Sequence, residues 1–251
     1  YGAGATAASM AYFCPFVHRN AAGVVYGTGF VSALNLNTGF LETRGLDYEF
    51  NYQTDLSSFG FGDMGSLAFN DIGTYLTGYI NEPVPITPLT RGSVAPYNCA
   101  GLYGLTCGTI AEGPAPKWRN KLRITWTSPW DVDFSAQWRY IGGVSLDADS
   151  TNSLIGGSSS TSYTCNNGLT VHGILDCTDA RIAPYDYFDL SADWTVREGV
   201  DLRAGVNNIF DIEPPVIGSQ ALPIGVGNGN TFTGIYDYLG RTVFVAATIK
   251  Y

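Results

Sequence analysis

The sequence YDYLGRTVFVAATIKY, from Tyr236 to Tyr251, carries the strand pattern on which the prediction of the fold depends. From Leu239 onward every second residue has an apolar or aromatic side chain, with one Arg as the exception, whereas the intervening positions mix Gly, Thr, Phe, Ala and Lys. Successive side chains of a β-strand point to opposite faces, so this spacing predicts a strand with one apolar face and one mixed face. Taken alone, the pattern is also compatible with an ordinary buried strand that happens to end the chain.

Composition narrows the fold class. Of the 251 residues only 14% are charged, whereas 45% are hydrophobic, and there are 31 Gly and 16 Tyr, which is unusual for a soluble domain. Helical periodicity is weak and β-branched residues are frequent, so we predict an all-β chain. No apolar run reaches eighteen residues, which excludes a transmembrane helix. The net charge of −9 argues against nucleic acid as a partner, because phosphate contacts need clustered Lys and Arg.

Six further segments alternate in the same way. We predict strands at about 40–54, 66–80, 117–127, 132–145, 183–195, 200–208 and 237–251. The face of each strand opposite the apolar one carries acidic, basic and amide side chains. Such side chains would be costly in a dry core but suit a hydrated lumen. A slip in the alternation near Asn70 and Asp71 predicts a β-bulge. The spacing of Gly60, Gly62 and Gly65 resembles a nucleotide loop, but a strand follows it, so we interpret these glycines as turn residues.

The connections between these strands alternate in length. Short turns alternate with three long loops, which we expect to be extracellular, at 81–116, 146–180 and 209–235, and residues 1–39 are predicted to be an irregular extracellular segment. Long loops on one side, short turns on the other and Trp and Tyr near the strand ends are typical of a transmembrane β-barrel. A soluble sandwich, the alternative, does not usually separate loop lengths by side. We therefore predict an antiparallel transmembrane barrel, all-β in class.

The number of strands indicates that the chain is part of a larger wall. Seven strands would bring the first and last strands together in parallel, whereas bacterial barrels close antiparallel with an even number of strands. We therefore assign residues 40–251 to one sector of a larger barrel, with about seven of its strands.

Five cysteines require an explanation. Cys99 and Cys107, like Cys165 and Cys177, lie close together in loop-like stretches without CxxC spacing, so we predict two local disulfides and an oxidising compartment. Cys14 is left as a free thiol or as the partner of a cysteine in upstream sequence. With only two His in the chain we expect no zinc site and no cofactor. The spacing of Asp147, Asp149 and Asn152 matches only part of a calcium loop.

Candidate ligand contacts lie on one strand face and in the loops. Lys117, Arg119, Lys121, Arg123 and Arg139 form a basic stripe on the charged faces of the third and fourth strands. This stripe either binds an anionic substrate or another domain, or pairs with the neighbouring acids, and we expect the pairing, with Asp131, Asp133, Asp189 and Asp193. Three loop aromatics either stack on a ligand or pack: Tyr97, Tyr103 and Tyr163. No catalytic residues are assigned, because no GxSxG, HExxH or Ser/His/Asp grouping occurs.

Several motifs resemble one family of membrane proteins. GVNNIFDIEPP at Gly205–Pro215 and YDYLGRTVF at Tyr236–Phe244 resemble the C-terminal region of TonB-dependent outer-membrane receptors. LNTGFLETRGLD at 36–47 and the pair Trp118-Arg119 with Ile124-Thr-Trp126 look like strands of the same barrels. The last apolar residues look like the signal by which the barrel-assembly machinery recognises such chains, namely Val245, Ala247, Ile249 and Tyr251.

The resemblance spans residues 36–251 and implies a function. Family members have a 22-stranded barrel occluded by an N-terminal plug, and a TonB box couples import to the energy of the inner membrane. It implies a bacterial outer-membrane receptor that imports a siderophore-iron complex, vitamin, oligosaccharide or peptide; a passive porin-like channel is the alternative. No plug, TonB box or signal peptide occurs in the sequence. We expect upstream sequence or another chain to supply the plug, the rest of the barrel and the contact with the TonB complex.

Overall fold

The structure is a computed structural model that describes residues 14–32, 39–82, 96–104, 106–108, 113–147, 150, 155, 170–171, 174–175, 180–218 and 230–250. The chain divides into two compact units, one of residues 1–43 and 79–98 and the other of residues 44–78 and 99–251. In the ranges described, no helix has the length and apolar character needed to cross a membrane.

Seven long strands dominate the fold. They are β1 Phe40–Asp55, β2 Ser66–Glu82, β3 Trp118–Thr127, β4 Val132–Ile141, β5 Tyr185–Arg197, β6 Val200–Asn207 and β7 Thr242–Ile249. They pair in chain order from β1 to β7, and every pair from β2 onward is antiparallel. Among the described residues β1 and β7 are the edges of this open sheet. The prediction of an all-β chain that forms part of an antiparallel barrel wall is thereby confirmed.

Tight turns join the strands at one end of the sheet. A 3₁₀ turn, Leu56–Phe59, follows β1 and ends at Gly60, which has φ of 84°. Gly65 also has φ of 84°, and a Cβ there would collide with the backbone oxygen of Thr127. Only glycine fits such a position without strain. The interpretation of these glycines as turn residues is confirmed.

The register gives the sheet one apolar face. For example, Ile124 lies opposite Phe69 and Ala136, and Ala136 lies opposite Leu190. We call this side of the sheet the apolar face; its large side chains include Leu46, Phe50, Tyr52, Leu67, Phe69, Leu122, Ile124, Trp126, Phe134, Trp138, Phe188, Leu190, Trp194, Leu202, Val206, Val243, Val245 and Ile249. Many of them are exposed, Val245 by 77% and Leu190 by 46%. No second layer covers this face among the described residues.

Aromatic rings concentrate near both ends of the apolar face. Near the long loops Trp118 packs against Tyr48 and Tyr75, with ring centroids 5.9 and 5.8 Å away. Near the short turns Trp126 packs edge-on against Trp130, and its indole N–H donates to the backbone oxygen of Met64 at 2.8 Å. Rings with an apolar body and a satisfied polar edge suit the boundary between hydrocarbon and water.

The predicted β-bulge near Asn70 is wrong. The pairing of β2 with β3 continues without a shift from Ser66 to Tyr75, so Asp71 stays on the apolar face. Its carboxylate accepts hydrogen bonds from the Tyr48 hydroxyl at 3.3 Å and from the Asn120 amide at 2.9 Å. The alternation slips because a hydrogen-bonded polar group replaces an apolar one. A register shift does occur in β5, between Thr195 and Arg197.

Among the residues that the structure describes, the cluster of buried hydrophobic side chains lies at the long-loop end of the sheet. It joins strand ends to loop residues and consists of Tyr103, Ile141, Val144, Leu146, Ile182, Tyr187, Ile217, Phe232 and Tyr236; we call this cluster the loop core. A small three-stranded sheet lies beside it, in which Val144–Leu146 pairs with Leu102–Tyr103 and with Arg181–Ile182. A further two-residue ladder joins Thr170–Val171 to Ile174–Leu175.

The polypeptide around Tyr103 is fixed by covalent and polar links. Cys99 and Cys107 form a disulfide, which confirms one of the two predicted pairs. The buried carboxylate of Asp147 accepts the backbone N–H groups of Thr106 and Cys107, both at 2.8 Å. Asp147 therefore caps a backbone turn. Asp149 and Asn152, the other members of the partial calcium pattern, lie outside the described residues.

In its described residues the smaller unit holds short elements together with the ends of β1 and β2. A 3₁₀ turn, Cys14–Phe16, leads into a two-residue ladder of Val17–His18 with Phe30–Val31, where the His18 ring stacks on Phe30 at 4.3 Å. Tyr97–Asn98 pairs with the last residues of β2, and the Asn81 amide donates to the Tyr97 hydroxyl at 2.8 Å.

The last strand begins later than the sequence pattern indicates. Residues 237–240 form a turn, in which the N–H of Gly240 donates to the backbone oxygen of Asp237 and Gly240 has φ of 65°. The Arg241 N–H donates to the carboxylate of Asp211 at 2.7 Å, and β7 begins at Thr242. The preceding residues are held by side chains rather than by strand pairing.

Candidate functional site

The charged face of the sheet carries an ion-pair network at its long-loop end. Arg139 on β4 donates from Nε and Nη2 to Asp189 on β5, at 2.7 and 2.9 Å, and from Nη1 and Nη2 to Asp237, at 2.9 and 2.5 Å. Its guanidinium also lies 4.9 Å from the centre of the Tyr187 ring. Two carboxylates bound by one planar guanidinium fix the geometry of all three side chains. The segment before β7 is thereby attached to the wall.

Asp189 is the best-satisfied acid of this network. Its carboxylate accepts two bonds from Arg139, one from Gln137 at 3.0 Å and one from the backbone N–H of Asn208 at 2.9 Å. Asn208 follows β6 with φ of 51°, and its own side chain bonds the backbone of Ile212 in both directions at 2.9 Å. The NNIFD stretch, residues 207–211, therefore forms a turn closed by the Asn208 side chain, and the Asn208 N–H group is directed at Asp189.

Tyr236 occupies the buried end of the network. It is 2% exposed, and its ring lies 4.9 Å from that of Tyr185. Burial raises the pKa of Tyr236 above its usual range, so the phenol stays protonated at neutral pH. Its hydroxyl has no hydrogen-bond partner among the described residues, and it interacts electrostatically with Arg119.

A concavity of about 380 Å³ opens beside this network. Its lining combines the ion-pair residues with the turn before β7: Gln137, Arg139, Asp189, Asn207, Thr233, Tyr236, Asp237, Tyr238, Leu239, Gly240 and Thr242. A concave site with a few converging polar groups is the usual form of a small-ligand pocket. Because Arg139 is already occupied by two carboxylates, the cavity itself offers acceptors and hydroxyls more than free positive charge.

Free positive charge lies on the neighbouring strand. Arg119, Lys121 and Arg123 project from the charged face of β3 and are exposed; we call these three side chains the basic patch. Arg123 donates to the neutral Gln137 side chain at 3.2 and 2.8 Å, and Arg119 to the backbone oxygen of Pro114 at 3.4 Å. Within the described ranges none of the three forms an ion pair.

In the described part of the chain, the expected pairing of the stripe with neighbouring acids is seen at Arg139. Arg139 binds Asp189, whereas Asp133 and Asp193 face each other across β4 and β5 near the short turns, and Asp193 pairs with Arg203 at 3.3 Å. Asp131 lies in the turn after β3 with φ of 57°. The other three acids assigned as partners, Asp131, Asp133 and Asp193, lie toward the short-turn end of the sheet. Lys117, also exposed, precedes β3 and lies against Gly101.

The loop residues singled out in the sequence are placed as follows. Tyr103 is fully buried in the loop core, edge-on to Phe232, and Tyr97 is 8% exposed, so neither ring offers a free stacking surface. Tyr163, Cys165, Cys177 and Tyr251 lie outside the described residues. Cys14 is exposed. Val245, Ala247 and Ile249 lie on the apolar face of β7, and their role in assembly stays a prediction.

Sequence reasoning missed three members of the network: Asp237, Tyr187 and Tyr236. The sequence pattern predicts Asp237 in the last strand. Asp237 lies 98 positions from Arg139 in the chain, and nothing local signals their contact. The odd-numbered run Tyr185, Tyr187, Asp189 was a usable signal, because aromatic rings on the charged side of a strand require a cover. The loop core provides that cover.

Comparison with known proteins gives a family. The family model described as "TonB dependent receptor-like, beta-barrel" matches residues 17–209. No curated protein matches the sequence.

Two solved structures that are similar to this chain are a ferric enterobactin receptor and a siderophore receptor. One is a variant of the ferric enterobactin receptor PfeA from Pseudomonas aeruginosa, 14% identical with a TM-score of 0.46, where the match covers 83% of this chain and 22% of that chain. Another is the siderophore receptor PirA from Acinetobacter baumannii, 12% identical with a TM-score of 0.44, covering 94% of this chain and 26% of that chain. The chain thus spans 22 to 26% of the length of these two receptors.

Proposed function

Because the chain belongs to the TonB-dependent receptor β-barrel family, whose members lie in the outer membrane of Gram-negative bacteria, we propose that it is the ligand-binding sector of an energy-coupled uptake receptor. The protein would bind a scarce extracellular ligand (siderophore-iron, a vitamin, an oligosaccharide or a peptide) and import it into the periplasm. The observation that carries this proposal is the family match over residues 17–209.

The two faces of the sheet support this role. The apolar face is exposed over β1 to β7 and suits contact with the lipid bilayer, whereas the opposite face carries Arg, Lys, Asp and Glu and suits a water-filled lumen. Ile141, Tyr187 and Arg139 are on the charged face, and the loop segment around Tyr236 packs on them. The loop segment around Tyr236 thus lies over the lumenal side, where an entering ligand would pass.

The partners of the receptor follow from the same proposal. Binding at the loops and lumen needs a plug that moves, and import needs the TonB complex to move it. Insertion needs the barrel-assembly machinery, which would read the terminal strand with Val245, Ala247 and Ile249 on its lipid-facing side. We assign no catalytic role, since the family consists of receptors and transporters.

Uptake with and without energy coupling tests the proposal. The gene that encodes this chain is deleted, and growth is scored on a panel of iron sources and carbon sources present at limiting concentration. We expect a defect on one source, restored by the intact gene only in cells with a working TonB protein. Restoration in cells without TonB would indicate a passive channel instead. Unchanged uptake of every source would contradict a receptor role.

A further inference from the structure

The cavity beside the ion-pair network is fixed on two sides. One side is the charged face of β4 and β5, where Arg139 holds Asp189. The other side is the turn before β7, which Arg139 holds through Asp237. Because the same planar guanidinium binds both acids, the two sides of the cavity keep a set distance from each other. A ligand therefore meets groups whose positions are fixed before it binds, which lowers the entropy cost of binding.

The cavity carries no excess of charge. Its charged lining residues are one cation, Arg139, and two carboxylates, Asp189 and Asp237, which together leave one negative charge. Arg123 lies at the edge of the cavity, where it donates to the Gln137 side chain at 2.8 Å, and it balances that charge. The cavity therefore gives neither an anion nor a cation a net electrostatic advantage, and it favours a neutral ligand.

The other members of the basic patch are balanced on the same face of the sheet. Arg119 and Lys121 are two cations on β3, and Asp47 and Glu49 are two carboxylates on β1. Within the described residues both acids accept hydrogen bonds from neutral side chains, so they keep their negative charge. These four charges sum to zero and add no net charge to the side of the cavity.

Several polar side chains of the cavity are free to bind a ligand. Asn207 and Thr242 lie opposite each other where β6 pairs with β7, and Thr233 lies on the loop side. Within the described residues the side chains of these three have no hydrogen-bond partner. Gln137 donates one amide hydrogen to Asp189 and keeps a second one.

These free groups include both donors and acceptors. A side-chain amide has two N–H donors and one acceptor oxygen, and a threonine hydroxyl both donates and accepts. The Asp237 carboxylate, although it binds Arg139, still has free lone pairs, because a carboxylate offers about four lone-pair sites. A ligand hydroxyl also donates and accepts. A ligand with many hydroxyl groups can therefore satisfy both kinds of group in one cavity.

Two tyrosine rings complete the lining. Tyr238 is 54% exposed and has no aromatic ring against it within the described residues, so its ring face is free to pack against a ligand. Tyr236 is buried, and its hydroxyl has no hydrogen-bond partner among the described residues. An amphipathic ring beside free hydroxyl and amide groups suits a ligand with apolar faces and polar edges, which is the form of a sugar ring.

We propose that this cavity is a saccharide subsite and that the ligand of the receptor is a neutral oligosaccharide, of which the cavity binds one or two sugar units. The proposal rests on the proposed receptor function and selects one of its ligand classes. Asn207, Thr233 and Thr242 bind the hydroxyl groups, and Tyr238 packs on the face of a sugar ring. The volume of about 380 Å³ is at the lower end of the range of small-ligand pockets, which suits one or two sugar units.

The test is a binding experiment that does not depend on import. The full-length protein is purified in lipid nanodiscs, and calorimetry measures the binding of four neutral trisaccharides, namely maltotriose, cellotriose, xylotriose and mannotriose. The trimer of galacturonic acid is the anionic probe of matched size. The trimer of glucosamine is the cationic probe, in mildly acidic buffer that keeps its amines charged.

Two triple variants test the assignment of the cavity. The variant N207A/T233V/T242V removes the free polar groups and leaves the ion-pair network of Arg139 in place. The matched control N51A/T127V/T248V makes the same three kinds of change elsewhere on the charged face, outside the cavity. Circular dichroism and a thermal melt show that both variants fold.

We expect at least one neutral trisaccharide to bind at millimolar concentration or below, and both charged trimers to bind about tenfold more weakly or not at all. The cavity variant should lose about tenfold in affinity or more, because three hydrogen-bonding groups disappear, whereas the control should change by less than about twofold. Affinity should stay the same as salt rises from low to physiological concentration, because the ligand forms no ion pair.

A pair of substitutions at Tyr238 tests the contact with the sugar ring. Tyr238→Ala removes the ring and should lower the affinity about tenfold, whereas Tyr238→Phe keeps the ring and should change the affinity by less than about twofold.

Three results would overturn the proposal. One is that no neutral trisaccharide binds at millimolar concentration, and another is that the cavity variant retains the binding. The third is tighter binding of either charged trimer than of every neutral one. Uptake of a source other than an oligosaccharide, without saccharide binding, would overturn the subsite and leave the receptor function. Saccharide binding without TonB-dependent uptake would instead refute the receptor function and leave the subsite.

Discussion

The loop core and the strand wall handle apolar side chains in opposite ways. In the loop core Tyr103, Phe232 and Tyr236 are at most 2% exposed and pack as in a soluble protein. On the wall, residues of equal hydrophobicity such as Phe134 and Val245 are 45% and 77% exposed. Water cannot be the solvent of such a large apolar surface. One end of the molecule therefore buries its apolar side chains inside the protein, whereas the wall presents them on one exposed face, which suits contact with lipid.

The largest difference is expected for one substitution made in both regions. Phe232→Ala removes a fully buried ring and leaves a cavity, so we expect the loop core to lose about 3–5 kcal/mol of local stability. Phe134→Ala on the wall leaves a gap that lipid chains fill, and we expect a loss of about 1 kcal/mol. Hydrogen exchange of the loop amides and urea unfolding in vesicles measure the two quantities. Equal losses of stability at both sites would contradict the proposed difference between the loop core and the strand wall.

The next largest difference is expected when an arginine is placed on either face of one strand. Leu190 and Ser191 are adjacent on β5 and point to the apolar and charged faces respectively. Leu190→Arg should destabilise the protein in vesicles by about 2–4 kcal/mol, since an arginine near the bilayer midplane is costly. Ser191→Arg, the matched control, should stay within about 0.5 kcal/mol in the same urea unfolding experiment. A larger effect at Ser191 would mean that the charged face is the dry one.

The disulfide belongs to the loop end only. Replacing Cys99 and Cys107 by Ser removes a crosslink over eight positions, which should destabilise the loop by about 2.5 kcal/mol in the chain-entropy account. The unfolding of the wall should be unaffected. Limited proteolysis measures the stability of the loop, and urea unfolding of the whole protein measures the stability of the wall. A parallel loss of wall stability would show that loop and wall unfold as one unit.

The smallest effect is expected for the ion-pair network that joins the loop segment before β7 to the strand wall. Arg139→Gln leaves Asp189 and Asp237 facing each other without a cation, which should cost about 2 kcal/mol, because both acids are largely shielded from water. Lys250→Gln removes an exposed pair with Asp201 at 3.8 Å and should change little. Exchange rates of the amides at 230–241 report the release of the segment. If Arg139→Gln leaves those rates unchanged, the network does not hold the loop.

The strands of the wall could be predicted from the sequence because the alternation of side chains along a strand is a local signal. An alternation of period two predicts both the strand and the face to which each side chain points, as at Leu190 and Ser191. The pattern is regular because one face of the sheet suits apolar side chains and the other suits polar ones. It failed at Asp71, where three polar groups satisfy one another on the apolar face and mimic a slip of register. Hydrogen bonds between side chains on different strands leave no trace in the spacing of one strand.

The charged face was harder to interpret for the same reason. The sequence placed the stripe on β3 and β4 correctly by face, but the expected partners depended on register, which brings Lys121 opposite Arg139 and Asp133 opposite Asp193. The network with Asp237 depends on how a long loop folds back over the wall. Loop closure of that length is decided by tertiary packing, so a residue 98 positions away could not be found from pattern alone.

The most direct test of the central claim is the accessibility of alternate positions on β5. A nitroxide is introduced through a noncanonical amino acid at each position from 188 to 195 in turn, and the protein is reconstituted in lipid. Collisions with oxygen, which partitions into hydrocarbon, and with a water-soluble nickel complex are then measured. Positions 188, 190, 192 and 194 should favour oxygen, and positions 189, 191, 193 and 195 should favour nickel. A profile without this period of two, or one in which the even positions meet neither reagent, would contradict the account.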